Sequence, residues 1–195
     1  MIFGPLRLVS LLISLIVVGV PLVAVGLFLT AIVGSPGSCE AKDRPIGVNL
    51  LSAASFQLKW DELNAALDAG QTSTVVVSES EATSRAQGWV EEHDAPVSRL
   101  FVCFDNEGGA ASGRVQVPFL PGDVDVLIRG TLTLTGQHPE AAISQIKVGA
   151  LPGPIADLVE RFVTNLIDDQ TAKIELRHDY GISFGQGEMT VSGQP

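Results

Sequence analysis

The segment GALPGPIADLVERFVTNLIDDQ, from Gly149 to Gln170, predicts a long amphipathic helix. Its apolar residues recur at intervals of three and four, which places them in one stripe along a helix. Pro154 stands in the first turn of this helix, where proline is favoured. The apolar stripe consists of Ile155, Leu158, Val159, Phe162, Val163, Leu166 and Ile167. The opposite side is mainly acidic, so we expect the stripe to face protein and not an anionic lipid surface.

Upstream of the helix, DVDVLIRGTLTLTG from Asp123 to Gly136 alternates apolar and polar residues. Such alternation predicts an antiparallel strand with one buried and one solvated face. The buried face would include Val126, Ile128 and Leu132, and Gly130 within the strand indicates a bend. A long strand that bends here is expected to curve around the helix.

Other segments predict further strands and two more helices. Helices are expected over 52–70 and after the capping box that Ser78 and Glu81 would form. Strands are expected at 72–78, 97–104, 112–119, 141–149, 171–185 and 188–193, the last two joined in a hairpin at 185–188. Together these elements predict an α+β fold in which a curved antiparallel sheet wraps around one long amphipathic helix.

The first part of the chain predicts a membrane anchor. Residues Leu8 to Val33 contain no charged side chain and exceed the roughly 20 residues that cross a bilayer as a helix. A cleaved signal peptide has an apolar stretch of only about 7–15 residues. We therefore expect a retained single-pass anchor in 1–34, a linker in 35–51 and a domain in 52–195. Because a first uncharged segment commonly acts as an export signal, the domain is expected outside the cytoplasm.

Charge restricts the partners of the domain. Arg7 is the only charged residue before Ser35, so the rest of the chain has 11 basic against 22 acidic residues. Nucleic acids are bound through basic surfaces, and anionic lipids attract basic segments. We expect no nucleic-acid partner and no electrostatic docking to anionic lipid.

Both cysteines, Cys39 and Cys103, follow the predicted anchor. In an exported domain a disulfide between them is possible. Alternatively Cys103, in the apolar run RLFVCFD, is a small buried side chain. The second interpretation is the one that the sequence alone favours.

No pattern in the chain predicts catalysis. It contains no phosphate-binding loop, no dinucleotide fingerprint and no G-x-S-x-G nucleophile elbow. His93, His138 and His178 are far apart and lack the spacing of metal ligands. We expect neither an enzyme nor a bound cofactor or metal, and we expect His178 to be a core or edge histidine.

Four segments carry a likeness to a known family. They are VSESEATSRAQGWV, LFVCFDNEGGAASGRVQVP, KVGALPGPIADLVERFV and IELRHDYGISFGQGEMTVSG. Over about 52–193 the chain resembles small single-domain bacterial envelope relatives of the tubular lipid-binding (TULIP) superfamily. The resemblance implies a curved sheet around a long helix, an apolar groove for lipid tails, a position close to a membrane and no catalytic residues. The acidic surface of this chain differs from what the resemblance implies, because it does not favour docking on a membrane surface.

Two functions remain open at this stage. In the first, a membrane-tethered domain binds lipid or another apolar ligand in a groove lined by the apolar stripe together with Val126, Ile128 and Leu132. In the second, the protein is a non-catalytic structural or accessory subunit of a membrane protein complex, and the stripe belongs to a closed core.

Overall fold

The computed structural model describes residue 39 and residues 44–149 and 151–194, which form three helices and seven strands. The helices are α1 (Leu50–Asp68), α2 (Glu79–Glu92) and α3 (Gly153–Thr171). The strands are β1 (Ser73–Ser78), β2 (Val97–Asp105), β3 (Gly108–Gln116), β4 (Asp123–Thr133), β5 (Glu140–Val148), β6 (Tyr180–Gly185) and β7 (Glu188–Gly193). None of these helices is long and apolar enough to cross a bilayer, and the predicted anchor in 1–34 lies outside the described residues.

The strands form two antiparallel sheets, which confirms the predicted α+β class. One sheet has the order β2-β3-β4-β5 and the other β1-β7-β6. The expectation of one continuous curved sheet is wrong, because in the described part of the chain the two sheets are joined by one isolated bridge, between Leu134 and Tyr180, and not by a continuous ladder. The pairing of β4 with β5 shifts between Arg129 and Gly130, at the predicted bend. Such a bulge increases the local twist of a strand.

One face of β4 serves two cores, one on each side of this register shift. Before it, Val124 and Val126 pack with Val159 and Val163 of α3 in the first core. After it, the same alternation continues into a second core between α1 and the three-stranded sheet. That core contains Leu63, Leu67, Leu132, Leu134, Tyr180 and Val191. The contact between α1 and β7 is close, since a Cβ at Gly193 would lie 2.5 Å from Leu67.

Helix α2 covers the outer edge of β2. Its side chains at Glu79, Thr83 and Gln87 are spaced by four residues, a rise of about 6 Å, close to the roughly 6.7 Å between alternate residues of a strand. They therefore meet successive outward-facing backbone groups of β2. The bonds are Phe104 N–H to Glu79 Oε1 (2.8 Å), Val102 N–H to Thr83 Oγ1 (2.9 Å), Thr83 Oγ1 to Val102 O (3.2 Å) and Gln87 Nε2 to Leu100 O (2.8 Å). An edge that would otherwise be open to strand pairing is satisfied by side chains.

A third cluster lies on the sheet face opposite α3. Cys39 is disulfide-bonded to Cys103, and its backbone N–H donates to Ser112 Oγ at 3.1 Å. Ile46 and Leu127 are buried beside this bridge. The possible disulfide is therefore present, and the favoured interpretation of Cys103 as an unpaired buried side chain is wrong, although Cys103 is indeed buried. The face of β4 predicted to be solvated is covered at Leu127 by the segment that was expected to be linker.

The boundaries differ from expectation mainly after α3. The strand predicted over 171–185 begins only at Tyr180, because α3 continues to Thr171 and an irregular segment follows. Alternating Leu176 and Tyr180 do point into the second core. However, the Leu176 N–H donates to the carbonyl of Gln137 in a loop, and the Tyr180 N–H donates to the carbonyl of Leu134 just after β4. These two bonds do not form a continuous strand pairing. The hairpin at 185–188 and the capping box of Ser78 and Glu81 are confirmed.

Candidate functional site

The centre of the predicted stripe is a closed contact. Val159 is 0% and Val163 2% exposed, and both pack against the sheet residues Val124 and Val126. Phe162 and Ile167 are half-buried against the same cluster, as is Ile128. The structure therefore brings together six of the ten predicted site residues: Val126, Ile128, Val159, Phe162, Val163 and Ile167.

The other four predicted residues lie elsewhere or at the margin. Leu132 belongs to the second core with Leu63 and Tyr180, because it follows the bend in β4. Ile155 and Leu166 are half-buried, and Leu158 is 52% exposed. Hence the apolar stripe of α3 is wider than the surface that buries it.

The exposed Leu158 and three half-buried apolar residues lie on one flank of α3. At 100° per residue, Ile155, Leu158, Phe162 and Leu166 fall on one side of the line through Val159 and Val163. We call these four residues the α3 flank. Beyond the line, the other side of the helix carries polar Glu160 and Thr164. These line a shallow depression of about 340 Å³ with Ile146 of β5, together with Asp157, Arg161 and Asn165.

The rotation of α3 about its own axis explains why its apolar stripe is only partly buried. The half-buried residues Glu160 and Thr164 are turned toward β5, and Thr164 Oγ1 donates to the Glu160 carbonyl at 2.9 Å. Because they occupy part of the face turned to the protein, the apolar stripe is not centred on that face, and Leu158 on the opposite side is 52% exposed. The α3 flank is the result: apolar side chains that the described residues do not fully cover.

A larger cleft, which sequence reasoning missed, lies between α1 and the irregular segment after α3. Its volume is about 450 Å³, and its lining residues include Trp60, Asn64, Asp68, Arg177 and Tyr180. The rings of Trp60 and Tyr180 are 5.1 Å apart between centroids, and the Tyr180 hydroxyl donates to Asn64 Oδ1. Trp60 and Asn64 share a helix face, but Tyr180 is 116 residues away from Asn64, so no sequence pattern indicates their contact.

The polar groups of this cleft are bonded to one another. Asn64 Nδ2 donates to the Trp60 carbonyl at 2.8 Å, and burial raises the pKa of the Tyr180 phenol. His178 Nε2 lies 2.9 Å from Asp68 Oδ1, in a pair at the rim. Among the residues that the structure describes, no serine, threonine or cysteine is hydrogen-bonded to His178, so this pair lacks the nucleophile of a triad. Trp60 and Tyr180, which line the cleft, also pack in the second core, so their contacts stabilise the fold.

Glu81 has a strongly lowered pKa, but it stabilises the fold and lies outside both the α3 flank and the cleft. Burial alone would raise the pKa of Glu81, but hydrogen bonds from Lys59, Ser55 and Ser78 outweigh it and lower the pKa from 4.5 to about 2. Lys59 Nζ also donates to the Val76 carbonyl at 2.7 Å, so this group of side chains joins α1, β1 and α2. Such a site holds a carboxylate in its charged form and leaves no free lone pair directed at a ligand.

Metal-ligand geometry is not found in the described part of the chain. No group of three or more His, Cys, Asp or Glu side chains there is placed to hold a metal ion. Two carboxylates on the face opposite α3 are in ion pairs instead: Asp125 with Arg114 at 3.0 Å and Asp105 with Arg129 at 2.9 Å.

No protein-family model matches the chain, and no curated protein matches it significantly. The resemblance to the tubular lipid-binding superfamily therefore stays a prediction. The candidate site is the α3 flank, on the physical ground that it is an apolar surface next to a closed core.

Proposed function

We propose that the protein is a membrane-tethered, extracytoplasmic domain of the bacterial cell envelope that binds a lipid or another apolar ligand along the α3 flank. The anchor is the uncharged segment from Leu8 to Val33. The observation that carries the proposal is the 52% exposure of Leu158 beside half-buried Phe162, on a helix whose opposite flank is turned inward.

The energetics of this surface suit an apolar ligand. A hydrocarbon chain is held by burial alone, at about 0.8 kcal/mol for each methylene group. Covering six methylene groups would therefore contribute about 5 kcal/mol without any charged partner. This agrees with a flank made of Ile155, Leu158, Phe162 and Leu166 and with the acidic surface of the domain, which has no need to attract an anionic headgroup.

The proposed ligand lies at the margin of the first core and not within it. Val159 and Val163 are closed against the sheet, so a tail that entered there would have to separate α3 from β4. Along the flank, by contrast, a tail would cover apolar surface that is already open. The proposal thus moves the predicted groove from the centre of the stripe to one of its sides. We propose no catalytic role for the domain.

The test is the lipid content of the purified domain. Residues 35–195, which include both cysteines, are exported, purified without detergent and extracted with organic solvent, and the extract is quantified by mass spectrometry. We expect about one apolar ligand per domain, and a large loss of it in Leu158→Ser. Leu58→Ser is the matched control, since Leu58 is an exposed leucine of α1, and it should retain the ligand.

Two results would contradict the proposal. One is an extract without lipid from a folded domain, which would favour the alternative of a structural or accessory subunit. The other is equal loss of ligand in Leu158→Ser and Leu58→Ser, which would show that the α3 flank is not the binding surface.

A further inference from the structure

The amino-terminal end of α1 exposes apolar side chains in succession. Leu50 is 88% and Leu51 83% exposed, and Val48 just before them is 43% exposed. Asn49 caps the helix by accepting from the Ser52 N–H at 2.8 Å, so these leucines belong to a well-formed first turn. Adjacent exposed apolar side chains mark a contact surface more often than single ones do.

The stretch of chain that carries these side chains has no charged residue. From Pro45 to Leu58 the sequence contains no Asp, Glu, Lys or Arg, and Arg44 and Lys59 flank this stretch. The first turn of α1 carries no acidic side chain. In a domain with twice as many acidic as basic residues, this stretch itself carries no charge that anionic headgroups would repel. Insertion of its apolar side chains needs no electrostatic attraction, because the burial of apolar surface is itself favourable.

The disulfide limits how far this end can be from the membrane. It fixes Cys39 to the sheet, so only five residues lie between the fixed point and Val33, the last residue of the uncharged segment. The six steps from one Cα to the next span at most about 20 Å. Ile46 packs in the same cluster as Cys39, and four further residues, at most about 14 Å, lead to Leu50.

We propose that Val48, Leu50 and Leu51 insert into the interfacial region of the bilayer to which the chain is tethered. This inference rests on the anchor of the proposed function, but not on ligand binding at the α3 flank. The tether is short enough for the end of α1 to reach the membrane, and insertion covers leucines that the described residues leave open. The amino-terminal end of the helix dipole, which is positive, then points toward the phosphate layer.

The test uses the full chain in vesicles of zwitterionic phosphatidylcholine. A photoactivatable amino acid is placed at Leu51 in one variant and at Ala69 in another, and lipid adducts are quantified by mass spectrometry. Ala69 is exposed and caps the other end of the same helix, about 27 Å away along the axis. Because interfacial insertion reaches only about 5–10 Å, we expect about tenfold more lipid adduct at position 51 than at position 69.

The outcomes separate this inference from the proposed function. Extraction of the chain from the vesicles by alkaline carbonate would overturn the anchor, and the inference with it. A chain that resists extraction but gives equal lipid adducts at the two positions would overturn the inference alone. An adduct from position 51 to protein instead of lipid would overturn it in favour of a protein partner.

Discussion

Thr83 of α2 makes both outward-facing backbone hydrogen bonds of Val102 in β2. Its hydroxyl accepts from the Val102 N–H at 2.9 Å and donates to the Val102 carbonyl at 3.2 Å. The side chain is fully buried. One threonine thus occupies the position that a neighbouring strand would take at the edge of the four-stranded sheet. The helix that carries it is held in place by the capping box and by Glu81.

Replacing Thr83 by valine should destabilise the fold strongly. Valine has nearly the same shape but leaves a buried N–H and a buried carbonyl without partners, at about 1–3 kcal/mol for each group. Thr83→Ser keeps the hydroxyl and should lose much less. The measurement is the free energy of unfolding in urea. Equal losses in the two variants would mean that the methyl group, and not the hydroxyl, stabilises this contact.

Glu81 should make stability depend on acid. Because its pKa is lowered from 4.5 to about 2 in the folded protein, its contribution is complete above pH 4.5 and is lost as the pH falls toward 2. The shift corresponds to about 3 kcal/mol. Glu81→Gln should therefore be less stable than wild type at pH 7, with a difference that shrinks by pH 2–3. Exposed Glu91→Gln should follow wild type, and a pH-independent difference for Glu81→Gln would refute this role.

The disulfide should contribute substantially to stability. Cys39 and Cys103 are 64 residues apart in sequence, and a bridge closing a loop of that length contributes about 4 kcal/mol in the chain-entropy treatment. A double Cys39→Ser, Cys103→Ser variant should unfold at a clearly lower urea concentration. Reductant should lower the midpoint of wild type to a similar extent and leave the variant unchanged. A wild-type midpoint that does not respond to reductant would contradict the prediction.

Substitutions at Val163 and Leu158 should distinguish the closed core from the α3 flank by their effect on stability. Val163→Ala removes buried methyl groups and leaves a cavity, so it should cost about 2 kcal/mol of unfolding free energy. Leu158→Ser, at a half-exposed position, should change the stability of the ligand-free domain by less than about 0.5 kcal/mol. Thermal and urea unfolding of the two variants measure this. A larger loss for Leu158→Ser would place Leu158 in the core.

Local elements could be predicted from the sequence because periodicity reports them directly. The stripe from Ile155 to Ile167 gave α3, the alternation after Asp123 gave β4, and Ser78 with Glu81 gave the start of α2. Their assembly could not be predicted in the same way. Ile128 and Leu132 stand in one alternation, but the bulge near Gly130 sends them into different cores.

The pairing of α2 with β2 and the orientation of α3 depend on polar residues, which show no distinctive pattern in the sequence. Glu79, Thr83 and Gln87 have the composition of a solvated helix face, so their pairing with β2 has no signal in the sequence. The width of the stripe was visible, but the direction in which α3 is rolled depends on how Glu160 and Thr164 meet β5. For that reason the α3 flank could be recognised only once the packing was known.

The central claim is that the α3 flank binds an apolar chain. A photoactivatable palmitate analogue, added to residues 35–195 and mapped by peptide mass spectrometry after illumination, tests it most directly. We expect saturable labelling within 155–166 that unmodified palmitate competes away and that is lost in Leu158→Ser. Labelling at the cleft of Trp60 and Tyr180, or no saturable labelling of the folded domain, would contradict it.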